Sequence, residues 1–384
     1  MIRRLHIAGS ANAEVQPALL RDVHTMVTNL VDGWVTRGSG LVGGLGGEPH
    51  ATSDPETPII FDWTVASAAL NALEGAKGSA KTEDGELLAV RTSQRARGQI
   101  PPARRAIYDR LLELGALDLA LLPDTWRSGA LMRRAQAEVG GVLVVLGGGA
   151  GAEDLANLYR AAGRPVIPID VPLGSAADDA TVGGQGLARR ALTDGRDFLR
   201  LADGSSASAR LAALTMDGNR PPATELGRRL LALLDDLEPP RAFCVRLLNP
   251  DHGDYSEVER FFQNVARPVL EEIGLHVVEL GHDRQERAWM NTEIFEELHN
   301  AEVACVDLTG SRPNCFIELG YALGRGHRTI ITARKEEAPP FDADKLPWHF
   351  WDTHTKPANA RAALREHLRK FGTLPPLVQP ARLV

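Results

Sequence analysis

The chain of 384 residues has a formal net charge of −7, which excludes the basic balance of a general nucleic-acid binder. Its length asks for two domains of ordinary size, and a composition of 43% hydrophobic and 24% charged residues excludes a disordered chain. The three cysteines, Cys244, Cys305 and Cys315, stand at no disulfide or zinc spacing, so a reducing cytoplasm and no metal are expected. Residues 1–10 lack the apolar core of a signal peptide, and the most apolar stretch, 139–149, is too short and glycine-rich to span a bilayer. Neither export nor a membrane partner is expected.

In chain order, residues 4–8 read as a strand halted at Gly9-Ser10, followed by an amphipathic helix over 15–36. A strand at 41–42 runs into Gly43-Gly44-Leu45-Gly46-Gly47, and a helix at 63–73 and a strand at 87–91 follow. The alternation continues through helix 101–114, strand 117–122, helix 127–138 and the apolar strand 142–146, which stops at Gly147-Gly148-Gly149-Ala150-Gly151. Helix 152–162 and strand 165–169 complete a series that predicts a parallel sheet flanked by helices, in a domain over residues 1–190. Residues 191–240 show helical patches without strand alternation and read as a helical connector. After Glu238-Pro239-Pro240, a second series occupies 241–384, with strands at 242–248, 276–280, 303–307, 328–333 and 349–351 and helices at 256–273, 288–300, 313–325 and 358–371. The expected fold class is α/β, with two Rossmann-like, doubly wound parallel-sheet domains.

Glycine directly after a strand lets backbone N–H groups approach a phosphate, and the following helix turns its positive end toward the same anion. Three turns have this form: Gly9-Ser10, the Gly43, Gly44 and Gly46 run, and Gly147, Gly148, Gly149 and Gly151. Each falls at a strand's C-terminal end, where open α/β sheets take their ligands. Tight turns and close helix–sheet packing would use the same glycines.

The run 142–149 followed by Gly163-Arg164-Pro165-Val166-Ile167-Pro168-Ile169, together with Ile7-Ala8-Gly9-Ser10, resembles the SLOG family of Rossmann-like domains. It is most similar to the branch fused to TIR or Sir2 effectors in bacterial defence proteins. That resemblance implies a nucleotide-derived signal bound at the three glycine turns. Enzymatic SLOG relatives carry a PGGxGTxxE string, whereas this chain lacks the proline and has Ala152 in place of the threonine, which favours binding over hydrolysis here.

The segment 307–322, DLTGSRPNCFIELGYA, is the most informative in the chain. Asp307 ends a strand, Thr309-Gly310 turn the chain, and Pro313 suits the first turn of a helix. Asn314 and Glu318 then share one helix face, Phe316, Leu319 and Leu323 point to the core, and Gly320 and Ala322 permit close packing. The segment resembles nucleoside 2-deoxyribosyltransferase-like domains and related TIR-like nucleotide-binding domains, supported by Asn249 after the first strand, His282-Asp283 after the second and Pro340-Phe341-Asp342 before the last. By that resemblance Glu318 is the nucleophile at the sugar anomeric carbon, Asp307 and Asn314 bind base or sugar, and Asn249, Asp283, Thr309 and Gly310 line the substrate.

N-glycosidic cleavage develops oxocarbenium character that a carboxylate traps. Nicotinamide leaves without a general acid, whereas a purine must be protonated, and Asp283 or Asp307 would serve only with a raised pKa. NAD is therefore the expected substrate, cleaved to nicotinamide and ADP-ribose with no cofactor. The expected protein is a signal-activated, homo-oligomeric N-glycoside hydrolase of antiphage defence. A non-catalytic nucleotide receptor acting on a partner and a constitutive nucleosidase or deoxyribosyltransferase stay open as alternatives. His252 and His282 read as turn or surface residues, with no second ligand at metal spacing.

Overall fold

The computed structural model describes residues 4–12, 14–48, 58–75, 87–174, 182–216, 221–279, 290–338 and 343–371. The chain divides into two compact units, Ile2–Glu238 and Pro239–Val384.

The first unit runs β1 (Leu5–Ser10), α1 (Pro17–Val35), β2 (Leu41–Gly43), α2 (Phe61–Gly75), β3 (Leu88–Ser93), α3 (Gln94–Gly98), α4 (Pro102–Glu113), β4 (Leu117–Leu122), α5 (Ser128–Val139), β5 (Val142–Gly147), α6 (Ala150–Ala161) and β6 (Val166–Ile169). Then come α7 (Gly183–Thr193), a 3-10 turn at Gly195–Asp197, α8 (Ala207–Ala212) and α9 (Ala223–Asp235). All six strands pair in parallel in the order β4-β3-β2-β1-β5-β6. Strand β5 is buried along its whole length, as its unbroken apolar run requires of a strand covered on both faces.

Helix α1 buries the stripe Leu19, Val23, Met26, Val27, Leu30, Val31 and Trp34, a spacing that keeps one helical face against the sheet. Against it packs α9, with Gly33 beneath Leu231 and Gly227 against Met26 and Asn29. Residues 191–237, which the sequence sets apart as a connector, thus contribute Phe198, Leu199, Leu201, Leu211, Leu226, Leu230 and Leu234 to the first unit's own core.

The second unit runs β7 (Arg241–Val245), α10 (Tyr255–Phe261), a π turn (Phe262–Ala266), α11 (Arg267–Glu272), β8 (His276–Val278), α12 (Met290–Asn300), β9 (Val303–Asp307), α13 (Pro313–Arg325), β10 (Arg328–Arg334), β11 (Trp348–Trp351) and α14 (Pro357–Phe371). Its five parallel strands lie in the order β11-β10-β9-β7-β8. Alternation along β7 and β9 sends Ala242, Cys244, Val303 and Cys305 into one core cluster, with Val258, Val265, Val269 and Leu364. Phe243, Val245, Ala304 and Val306 enter the other, with Leu298, Leu319 and Ala322. The sheet is therefore covered on both faces, as the period of two demands. At the π turn, Arg361 Nε donates to the Asn264 carbonyl at 2.9 Å, and Phe261 stacks on Trp351 at 4.6 Å.

In each sheet the strand order reverses once. The reversal lies between β1 and β5 in the first unit and between β7 and β9 in the second. At such a point successive crossovers leave on opposite faces, and a crevice opens outside the strands' carboxyl ends.

Strand β1 can reach β5 only because residue 9 has no side chain. Gly9 has φ +139°, and a Cβ there would lie 1.9 Å from the Leu146 carbonyl oxygen. Gly9→Ala should therefore cost about 3 kcal/mol or more, against about 1 kcal/mol for Gly38→Ala, whose φ is +73° in open space. Thermal denaturation of the two variants checks this, and equal losses would contradict it.

Candidate active site

At the end of β9, Asp307 is buried with both carboxylate oxygens engaged. Oδ1 accepts from the Thr309 N–H at 3.1 Å, and Oδ2 accepts from Thr332 Oγ1 at 2.6 Å and Trp351 Nε1 at 2.8 Å. Burial pushes its pKa up, while the bonds from Thr332, Trp351 and Thr309 pull the other way. These contacts tie β9 to β10 and β11. Thr309 is likewise committed, its hydroxyl accepting from the Arg334 N–H at 3.0 Å.

The turn that follows is strained where it faces the crevice. Gly310 has φ +79°, and Ser311, at φ 47°, is the positive-φ residue other than glycine among the described residues. The Gly310 N–H donates to Glu337 at 3.1 Å. The chain then enters α13 with Pro313 in its first turn, where a missing N–H costs nothing.

Helix α13 buries Cys315, Leu319 and Ala322, leaving Asn314 exposed and Glu318 half-buried. Phe316 and Leu323 pack partly buried against the core. Among the described residues, Gly320 packs closely against nothing, since a Cβ there would meet none of them within 4 Å. Glu318 makes no hydrogen bond or ion pair with any described residue, and burial pushes its pKa up to about 7. The neighbouring Cys315 thiol is pushed up to about 12 by burial and then by the charges of Glu318 and Asp307. A carboxyl with no partner among the described residues, and with its pKa pushed up toward neutrality, is suited to nucleophilic or ribose-binding work.

Across the β7/β9 reversal, the loop after β7 is folded by Asn249, whose side-chain oxygen accepts from the Asp251 N–H at 3.2 Å. His252 Nδ1 accepts from the Asp254 N–H at 3.2 Å, and its ring lies over Gly310, 3.5 Å from where a Cβ would stand. Arg334, at the end of β10, donates to Asp254 and Glu257 at 2.8 Å each. The structure thus brings the Asn249 loop to the Thr309-Gly310 turn, with Asn314 and Glu318 on the helix that leaves it. Asp283, His282 and residues 340–342 lie outside the described residues. His252, Asp254, Arg334 and Glu337 were not legible as a group, because no fixed spacing joins residues from the ends of β7 and β10.

In the first unit, Ser10 is in register with Gly147, and the Gly148 N–H donates to the Ser10 carbonyl at 2.9 Å. Glycines at the start of α7 pack on this turn: Cβ atoms at Gly183 and Gly184 would fall 2.0 Å from the Gly148 carbonyl and 2.5 Å from the Gly147 carbonyl. Gly43 and Gly44 adjoin Asp62, which accepts from the Gly44 N–H at 2.6 Å and whose pKa burial pushes up to about 6. Gly46 packs on Ala96, and its carbonyl accepts from Trp63 Nε1 at 3.1 Å. Close packing therefore accounts for most of the expected signal-binding residues being glycine. Among the described residues, a Cβ at Gly149, the residue before α6, would meet nothing within 4 Å, and one at Gly151 would meet the Arg133 guanidinium.

Two units each with a doubly wound parallel sheet, one bearing glycine turns at its strand ends and the other a half-buried carboxyl on the helix that follows β9, define a protein of the Rossmann-like α/β class. Residues 1–234 match the family described as ATP nucleosidase Cap17-like, N-terminal, and the chain belongs to it. The matched span takes in the helices of residues 191–234 together with the sheet. The chain is similar to the ATP nucleosidase Cap17 of Escherichia coli strain KTE188 and to that of Escherichia coli, 28% identical to each over 173 residues. The match covers 45% of this chain and 33% of each relative. Among the described residues, no helix is long and apolar enough to cross a membrane.

The raised pKa of Glu318 fixes a sign for pH dependence. Between its ordinary 4.5 and about 7, the folded state keeps a proton that the unfolded state has lost, so this group's contribution to stability falls as pH rises through that window. Glu318→Gln removes the effect. Its melting temperature relative to the parent should be higher at pH 8 than at pH 4, and a difference independent of pH would contradict the assignment.

Proposed function

We propose that the chain is an N-glycosidase effector of antiphage defence, in which the second unit cleaves a nucleotide's N-glycosidic bond and the first binds a nucleotide-derived signal. The observation that carries this reading is Glu318, half-buried and without a partner among the described residues, on the helix that follows β9. The SLOG-like glycine turns and the deoxyribosyltransferase-like segment 307–322 support the division of labour. The name of the similar Escherichia coli proteins, ATP nucleosidase, supports the reaction class.

In this mechanism Glu318 attacks the anomeric carbon as the base departs, and water releases the sugar from the resulting ester. Asn314, one turn earlier on the same helix, lies beside it for a sugar hydroxyl. Asp307 acts through position, because its oxygens are already occupied by Thr309, Thr332 and Trp351. No cofactor enters the reaction. NAD and ATP are the two substrates to be compared: the sequence reading favours the first and the relatives' name the second. A homo-oligomer provides the route by which the signal controls turnover.

Mass spectrometry of NAD and ATP incubations should reveal nicotinamide or adenine with the matching sugar phosphate. Glu318→Gln should lower that turnover by about a thousandfold or more, and the parent rate on NAD, whose base leaves without an acid, should rise with pH through about 7 as the carboxyl ionises. Turnover unchanged in the variant would overturn the nucleophile assignment.

Gly149 provides a probe of the first unit, since its Cβ would meet none of the described residues within 4 Å. Gly149→Glu places a carboxylate at the start of α6 and should repel an anionic signal without disturbing the fold. Activation should be lost while substrate affinity, read by calorimetry, is kept. Undiminished activation would exclude this turn as the signal site.

A further inference from the structure

The imidazole of His252 is held in an unusually informative way. Its Nδ1 accepts from the Asp254 backbone N–H at 3.2 Å, which places the proton of the neutral ring on Nε2. The same nitrogen lies 3.6 Å from the Asp254 carboxylate. Asp254 therefore fixes the ring through its backbone N–H and sets a carboxylate beside the same nitrogen. The carboxylate is itself fixed by Arg334 at 2.8 Å, which also holds Glu257. The far edge of the ring lies over Gly310, with Cε1 3.5 Å and Nε2 4.0 Å from where a Cβ would stand. A Cβ at residue 310 would stand in ordinary van der Waals contact with that edge, and Nε2 has no partner among the described residues.

Resting on the reading that Glu318 cleaves an N-glycosidic bond in this unit, we propose that His252 is the acid that protonates the departing base when that base is a purine. As the imidazolium, His252 gives its Nε2 proton to a ring nitrogen of the base while the bond between the anomeric carbon and the base breaks. The electron pair of that bond passes into the purine, and Glu318 forms the ester with the sugar. Water then attacks the anomeric carbon, its hydroxyl stays on the sugar, its proton returns to Nε2, and Glu318 leaves as a carboxylate. Asp307 is unavailable for this task, because its oxygens are already engaged. A purine needs such a proton to leave, whereas a pyridinium base does not.

The test compares a purine nucleotide with its N7-methylated form, whose base already carries positive charge and leaves as a neutral molecule without an acid. With the full chain, His252→Gln should slow cleavage of the unmodified nucleotide by about a hundredfold and cleavage of the methylated one far less. Surviving turnover of the methylated substrate also shows that the variant is folded. Equal losses on both substrates, or no loss on the unmodified one, would overturn the role of His252. Glu318→Gln should lose both. If the parent chain cleaves neither, the Glu318 reading itself fails, and the His252 proposal fails with it.

Discussion

The second unit depends on one buried carboxylate. Asp307 draws a hydroxyl from β10, an indole N–H from β11 and the backbone N–H of Thr309 onto its two oxygens, so three neighbouring strand ends are fixed to a single group. Burying a charge among apolar strands is costly unless it is hydrogen-bonded, and these bonds are the compensation. Their geometric result matters more to function than their energy. With the strand end pinned, the Thr309-Gly310-Ser311 turn must bend through positive φ and hand the chain to α13 at one angle. That angle presents Asn314 and Glu318 on the helix leaving the turn, while Leu319 and Ala322 stay in the core.

The first unit meets the same topological demand with glycine. Its strand reversal brings β1 and β5 side by side, and backbone packs on backbone at Gly9, Gly147 and Gly148, with Gly183 and Gly184 closing over them. The phosphate-cradling and close-packing uses of these glycines are compatible, since a turn lacking side chains serves both. Gly149 differs in that its Cβ would meet none of the described residues, which makes it the position where a ligand-binding role is separable from a packing role.

Much of this architecture was legible in the sequence because hydrophobic period and chain direction are local properties. Strand 117–122, strand 303–307 and helix 313–325 coincide with β4, β9 and α13, where apolar patterning, Pro313 and the turn glycines agree. Residues 191–237 were not recognised as part of the first core, since the pairing of α9 with α1 joins positions some two hundred residues apart and leaves no periodic trace. Asp307 was seen as a strand end but not as an anchor, because its partners Thr332 and Trp351 are brought to it only by sheet order. His252 passed for a turn residue for the same reason. Its significance lies in Gly310 beneath it and Asp254 beside it, and only the fold brings Gly310 there.

The central claim is that Glu318 attacks the sugar directly, and the stereochemistry of cleavage in aqueous methanol tests it most directly. Attack by Glu318 followed by attack of methanol inverts the anomeric carbon twice, so nuclear magnetic resonance should show a methyl glycoside of retained β configuration. A product of inverted, α configuration would mean a single displacement by solvent and would contradict the account.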